Sequence, residues 1–162
     1  MAATPCRYPV LKRAFLFSCL TGLRKSDIQK LTWGEVQKFG KYTRIVFKQR
    51  KTKGQEYLDI SSQAEKYLGE RGNPDDIVFT GFTYGSWTSL ELQRWSLAAG
   101  VNKNLTFHCA RHTFAVLMLD LRADIYTVSK LLGHRFLTTT QIYAKVLDKN
   151  KQNAVSLIPD IG

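Results

Sequence analysis

Hydrophobic positions spaced three and four apart open the chain. Leu11, Ala14, Phe15, Ser18 and Cys19 keep that spacing and predict a helix from residue 10 to about residue 20. The Thr21-Gly22 pair ends it. Ser26-Asp27-Ile28-Gln29 has the form of a capping box and predicts a second helix, with Ile28 and Leu31 on its apolar side. Arg24 falls in the turn between the two, just ahead of a helix N-terminus whose free amides favour anions. The period then changes. Thr43-Arg44-Ile45-Val46-Phe47-Lys48 and Glu56-Tyr57-Leu58-Asp59-Ile60 are rich in β-branched and aromatic residues, and Gly40 and Gly54 punctuate them. With Glu35-Val36-Gln37-Lys38-Phe39 ahead of them, they predict a small three-stranded antiparallel meander. A helix over residues 61–69 follows, with Ser61 or Ser62 as its cap. Gly72-Asn73-Pro74-Asp75-Asp76 reads as a turn, and Ile77-Val78-Phe79-Thr80 as a short extended piece.

The helical period returns over residues 87–99, where Leu90, Leu97 and Ala98 form the expected apolar side and Gly100 the stop. From Phe107 onward everything reads as helix. Ala110, Phe114, Leu117 and Leu121 are the expected buried stripe of the first of these helices. Asp124 is the N-cap of the next, and Gly133 its left-handed exit. Thr138-Thr139-Thr140-Gln141 is a second capping box, which places Tyr143 in a short final helix. The order of helix, small sheet and then mostly helix defines the fold class as α+β, mainly α.

A chain of 162 residues is long enough for one well-buried core, so a single domain over residues 1–162 is expected. No apolar run approaches the roughly 18–20 residues of a membrane span. Lys12 and Arg13 interrupt the most apolar segment, residues 10–20, and no small-residue cleavage site follows, so it makes a poor signal peptide. The expectation is a soluble protein without membrane contact. Three cysteines with no paired spacing argue against a disulfide framework and for a reducing compartment.

Charge narrows the partner. Lys and Arg total 24 against 13 Asp and Glu, a net charge of +11. Such an excess attracts polyanions with a strong dependence on salt, as a phosphate backbone requires. Lys48, Arg50, Lys51 and Lys53 crowd the tip between the last two strands of the meander. On charge alone, phosphate contact and a solvated loop are equal readings of that tip.

Reactive side chains concentrate between His108 and Tyr143. His108 and Arg111 are three apart and share a helix face at the margin of the expected stripe. His108 and His112 are four apart, a spacing that suits zinc, but Cys109 stands where a metalloprotease helix carries Glu and no compact third ligand follows. Cys109 and His108 are adjacent on a helix and point about 100° apart, so they do not form a nucleophile–base pair. Gly133 would aim His134 at a fixed point. Taken singly, a histidine or tyrosine in these positions is more often packing than chemistry.

Taken together they are more specific. Thr21-Gly22-Leu23-Arg24-Lys25-Ser26-Asp27, a hairpin lysine, His108-x-x-Arg111, Leu131-Leu132-Gly133-His134 and Tyr143 follow the order and approximate spacing of the tyrosine recombinase (phage-integrase-like) family. The resemblance runs from about residue 10 to residue 148, and in detail it is most like integrases of bacterial mobile elements. It implies the fold of DNA breaking-rejoining enzymes, a helical catalytic domain with a small three-stranded antiparallel sheet. It further implies that Arg24 and Arg111 grip the non-bridging oxygens of one DNA phosphate and stabilise its pentavalent transition state. Tyr143 would attack phosphorus to give a 3′-phosphotyrosyl enzyme and a free 5′-hydroxyl. Lys51 fits the lysine that protonates this leaving oxygen, with Lys53 as the alternative. His108 would assist proton transfer with the nucleophile, His134 would hydrogen-bond the phosphate, and Asp27 would orient Arg24. Lys48, Arg50 and Lys53 would touch the DNA backbone. No metal or cofactor is implied.

Physical chemistry supports the same set. A phenol titrates near ~10, so a tyrosine nucleophile at neutral pH needs cationic neighbours and a base. Two arginines, a lysine and two histidines supply both. The partner implied is double-stranded DNA, with a tetrameric synapse on DNA and a monomer without it, in a bacterial cytoplasm near the nucleoid. Recombining relatives carry an N-terminal domain that clamps the opposite face of the duplex. Only about ten residues precede the resembling region here, so the expectation is a fragment with weak DNA binding. Residues 149–162 hold an apolar cluster of Val155, Leu157 and Ile158 that would dock on a neighbouring protomer or on its own domain. Two other readings fit part of the pattern: a type IB topoisomerase-like relaxing enzyme, and a non-catalytic DNA-binding module.

Overall fold

The computed structural model describes residues 1–48 and 55–143 together with Val155 and Pro159. Arg50, Lys51 and Lys53 lie outside the described residues, as does the tail apart from those two positions; Lys48 ends a strand. The chain divides into two compact units, Met1–Arg111 and His112–Gly162.

In the first unit, α1 spans Pro9–Thr21 and begins with proline, whose fixed φ and missing amide suit a first turn. Leu11, Ala14, Phe15, Phe17 and Ser18 are buried along it. Phe15 meets Trp95 and Phe107 edge-on at 5.9 and 5.6 Å, and Phe17 packs on Phe79 at 5.2 Å. Such ring pairs add to the burial of large apolar area. Arg13, one turn into α1, reaches the Tyr67 and Leu68 carbonyls and lies over the Phe79 ring. Desolvation there lowers its pKa.

The helix ends as the sequence requires. Gly22 is left-handed at φ 71°, and its amide returns to the Ser18 carbonyl at 2.9 Å. The next helix departs from expectation. α2 is a single turn, Lys25–Ile28, with Arg24 rather than Ser26 at the N-cap and no side-chain cap. Ser26 bonds the Asp27 carboxylate instead, at 3.4 Å. The capping box that does form lies further on. Thr32 bridges to Ile77 in extended conformation, and its amide donates to Glu35 at 3.0 Å to open the 3-10 turn Trp33–Glu35. The chain must leave helical geometry by Thr32, which keeps α2 short.

The meander is present. β1 (Val36–Phe39), β2 (Tyr42–Lys48) and β3 (Gln55–Ile60) form one antiparallel sheet in the order β1-β2-β3. Ile45 stands opposite both Val36 and Leu58, and all three are buried. On the other face Arg44 stands opposite Asp59, binds it through two nitrogens at 2.6 and 2.9 Å, and lies between the Phe39 and Tyr57 rings. The hydrogen bond from Arg44 holds the Asp59 carboxyl below its ordinary range.

α3 covers Ser62–Glu65, with Ser61 as cap accepting from the Ala64 amide at 3.2 Å. α4 covers Ser86–Ala98, but its buried side is Thr88, Glu91, Leu92, Trp95 and Ser96, while Leu90 and Leu97 are exposed. Trp95 sets that face: it packs on Phe15, and its indole N–H reaches the Thr4 carbonyl at 3.1 Å. α5, His108–Asp120, corrects the expected stripe in the same way. Ala110, Arg111, Phe114, Ala115 and Leu119 are buried, whereas Leu117 and Leu121 are exposed. At about 100° per residue, Leu117 falls well away from the centre of that set, and Leu121 lies beyond the helix end.

The second unit has its own core of Phe114, Ala115, Leu119, Val128, Leu132 and Tyr143. α6 spans Ile125–Leu131, with Asp124 capping the Thr127 amide at 2.9 Å. Among the described residues up to Tyr143, two 3-10 turns, Leu137–Thr139 and Gln141–Tyr143, stand where the start of the final short helix was expected, and Phe136 rather than Thr138 is the N-cap. Phe136 takes the cap position because the chain arrives there extended. Among the described residues no helix is long and apolar enough to cross a membrane.

The corrected face of α5 is testable by unfolding in urea. Leu119→Ala removes a fully buried side chain and should cost about 2–5 kcal/mol, whereas Leu121→Ala should change stability by less than about 0.5 kcal/mol. Equal effects would return α5 to the stripe expected from periodicity.

Candidate active site

The exit of α1 is tied down at every residue. The Thr21 hydroxyl donates to the Phe17 carbonyl at 2.8 Å, and the Ser18 hydroxyl to the Leu23 carbonyl at 2.8 Å. Gly22, free of a Cβ, turns left-handed there and presents its carbonyl to Arg111 Nη1 at 2.6 Å. Arg111 is only 5% exposed, and Arg24, two residues past the glycine, is exposed. These two guanidinium groups, 87 positions apart in the chain, line one cavity of about 280 Å³ with Ser18, Leu23, Lys25, Ser26, Tyr84, Thr106, Phe107 and His108. Three of the expected site residues, Arg24, His108 and Arg111, therefore meet in the first unit.

The wall of that cavity includes residues that motif reading passed over. The Tyr84 hydroxyl accepts from the Phe107 amide at 3.2 Å, and the Lys25 ammonium lies 4.8 Å from the Tyr84 ring centre. Tyr84 thus holds the entry to α5 and a cation at the rim together. Lys25 was legible as a neighbour of Arg24, but Tyr84 sits in a loop with no period or motif to mark it. Asp27 meets Arg24 through the backbone, its amide donating to the Arg24 carbonyl at 3.0 Å, while its carboxylate accepts from Ser26.

In the second unit the exit of α6 is a Schellman turn. Gly133, at φ 59°, donates to the Lys130 carbonyl at 2.8 Å, and His134 donates to the Ser129 carbonyl at 3.0 Å. This fixes where His134 leaves the helix. Its Nδ1 meets the hydroxyl of the fully buried Thr140 at 2.8 Å, and the Thr140 carbonyl accepts the Tyr143 amide at 3.1 Å. His134 and Tyr143 are thereby linked through one threonine. The Tyr143 hydroxyl lies 2.5 Å from His112 Nδ1, with the two rings edge-to-face at 5.6 Å. His112 entered the sequence analysis only as a weak zinc ligand. Among the described residues no three His, Cys, Asp or Glu side chains gather as a metal site. Lys51, Lys53 and Arg50 belong to the segment outside the described residues.

Fold and residue pattern together define a class. Residues 2–150 match the phage integrase family, and the chain belongs to that family, the tyrosine recombinases. It is 34% identical over 134 residues to tyrosine recombinase XerC of Actinobacillus pleuropneumoniae serotype 7 (strain AP76), an alignment covering 76% of this chain and 43% of that protein. The chain thus spans less than half of the curated relatives it matches most strongly. In fold it resembles XerH site-specific recombinase bound to palindromic difH substrate in a post-cleavage complex, with TM-score 0.67 and 20% identity, over 91% of this chain and 45% of that one. It likewise resembles the catalytic domain of bacteriophage HP1 integrase, with TM-score 0.63 and 24% identity, over 95% of this chain and 85% of that one. The expected fold class, a mainly helical domain with a three-stranded antiparallel sheet, is the fold these structures share with it.

The aim of His134 depends on α6, whose cap has a measurable signature. Hydrogen bonds from the Thr127 hydroxyl and amide hold the Asp124 carboxyl below its ordinary value of 3.8. A depressed carboxylate contributes stability that is present above the unfolded pKa and fades as pH falls through the folded one. The stability gap between wild type and Asp124→Asn, followed by thermal unfolding, should therefore shrink as pH is lowered below 3.8. A gap unchanged at low pH would show that the cap carries no charge-dependent part.

Proposed function

We propose that residues 1–162 act as one catalytic domain that cleaves and rejoins double-stranded DNA at specific sites through a 3′-phosphotyrosyl intermediate. Arg24 and Arg111 hold the non-bridging oxygens of one phosphate, and His108 assists proton transfer with the nucleophile. His134 donates to the phosphate and steadies the Tyr143 turn. Tyr143 attacks phosphorus, and the 5′-oxygen leaves with a proton from the hairpin lysine, Lys51 or Lys53. The new phosphotyrosyl bond conserves the phosphodiester energy, so rejoining is the same reaction run with a different 5′-hydroxyl. Lys48, Arg50 and Lys53 contact the backbone of the duplex, and Asp27 supports the Arg24 turn.

One observation carries this reading: two arginines from distant parts of the chain open on the same cavity as His108. A cavity that gathers fixed cations suits a bound dianionic transition state better than any uncharged substrate, because preorganised charge stabilises developing charge without reorganisation. The net charge of +11 supports a polyanionic partner. As finer readings we infer a mobile-element integrase, a tetrameric synapse on DNA with a monomer in its absence, and a bacterial cytoplasmic location.

The test is a nicked suicide substrate whose cleavage traps the covalent adduct. Wild type should form it and Tyr143→Phe should not; an adduct persisting in Tyr143→Phe would remove that residue from the role. Arg24 is exposed, so Arg24→Ala should lower cleavage by about 10²–10³-fold with the melting temperature unchanged. Cleavage at the wild-type rate would overturn the phosphate clamp. Run on element ends and on a palindromic difH-type site, the same assay separates a mobile-element integrase, active on the former, from a Xer-type enzyme, active on the latter.

A further inference from the structure

We infer that Lys25 is a third phosphate-binding cation of this cavity: the ring of Tyr84 holds its ammonium at the rim, beside Arg24, to grip a phosphate adjoining the one that reacts. The inference rests on the proposed function, in which Arg24 and Arg111 take the non-bridging oxygens of the reacting phosphate. Every residue it uses belongs to the first unit. Lys25 is the first residue of α2, directly after Arg24, and both are exposed. Both line the cavity together with His108 and Arg111.

The Lys25 ammonium stands 4.8 Å from the Tyr84 ring centre. Among the described residues the ion pairs are Lys38–Glu65, Arg44–Asp59 and Arg94–Glu91, and none of them takes up the charge of Lys25. A ring attracts an ammonium through its quadrupole and leaves the charge intact, where a carboxylate would neutralise it. Lysine also brings three donors, more than one ring face covers. The contact with Tyr84 therefore fixes the position of the cation and keeps it able to bind an anion.

Tyr84 is itself held from behind. It is half-buried, its hydroxyl accepts from the Phe107 amide at 3.2 Å, and its ring meets the Phe107 ring edge-on at 5.4 Å. Phe107 is buried and packs in turn on Phe15 and Phe82, at 5.6 and 5.3 Å. The shelf under Lys25 is thus continuous with the core and with the residue that precedes His108. A free lysine loses much rotamer freedom when it grips an anion. One already seated on a ring loses less, so the contact with DNA forms more readily.

Charge spacing identifies the anion. The two guanidinium groups account for both non-bridging oxygens of the reacting phosphate. A DNA strand carries a further charge about every 3.4 Å along the helix axis, so a cation at the rim, one residue from Arg24, has the adjoining phosphate for its partner. Such a contact seats the strand in register without reading its sequence.

The test follows binding by fluorescence anisotropy in the Tyr143→Phe protein, so that no covalent product interferes, with the duplex of the cleavage assay and over a series of salt concentrations. Lys25→Gln should weaken binding at low salt and reduce the slope of log K against log salt by about 0.9, with the melting temperature unchanged. A neutral methylphosphonate in place of one of the two phosphates flanking the reacting one should weaken binding by the parent at one of those positions, and should cost Lys25→Gln nothing further there. Tyr84→Phe keeps the ring and should keep the affinity. Tyr84→Leu should weaken binding when Lys25 is present and have no further effect in Lys25→Gln, whereas a merely structural tyrosine would cost both backgrounds equally. An unchanged slope in Lys25→Gln, methylphosphonate losses equal in both proteins at both positions, or equal losses from Tyr84→Leu in both backgrounds would overturn the inference. The proposed function fails separately, by an adduct that persists in Tyr143→Phe or by wild-type cleavage in Arg24→Ala.

Discussion

The first unit depends on a buried cation placed at a helix C-terminus. The last carbonyls of α1 have no intrahelical partners, and the helix dipole makes that end negative. Arg111 supplies the missing donor by bonding the carbonyl of Gly22. Burying a guanidinium is expensive unless its donors are satisfied and its charge is met, and the Gly22 carbonyl at the α1 terminus takes one of those donors. The left-handed turn at Gly22 is what exposes the carbonyl. It also throws the chain outward, so Arg24 emerges two residues later with its own charge in solvent. The two guanidinium groups thus have different surroundings: Arg111 is buried, and Arg24 is exposed.

The same economy of constraint operates in the second unit. Asp124 starts α6, Gly133 stops it, and the residue after the stop is His134, whose ring captures Thr140. Thr140 then begins the turn that carries Tyr143. Each link is local, so the position of the phenol is set by a short series of caps and turns rather than by long-range packing alone. Such turns lie among the less stable parts of a domain, since few backbone bonds hold them. Side-chain hydrogen bonds from His134 and His112 offset that weakness at the residue whose placement matters most.

Much of this was legible in the chain. The helix break at Gly22, the strands of the meander, the Asp124 cap and the Gly133 exit follow from local rules, because each involves residues within a few positions of one another. Misreadings arose where tertiary contacts competed with those rules. Ser26 and Thr138 had the form of capping residues, yet Arg24 and Phe136 took the cap positions because the incoming chain was already extended. The leucines of α4 and α5 looked like core, yet Trp95 and Arg111 turned those helices by burying larger side chains.

The residue pattern by itself determined the class of protein and the chemistry available to it, since the order of functional groups along the chain is covalent. Only the tertiary structure decided how those groups are paired. Tyr84 under Lys25, the Gly22 carbonyl on Arg111, and His112 on the Tyr143 phenol join residues far apart in sequence, and no spacing rule reaches across such distances. His112 shows the difference most plainly. Its neighbours in sequence make it a weak metal ligand, whereas its neighbour in space is the hydroxyl proposed to carry out the reaction.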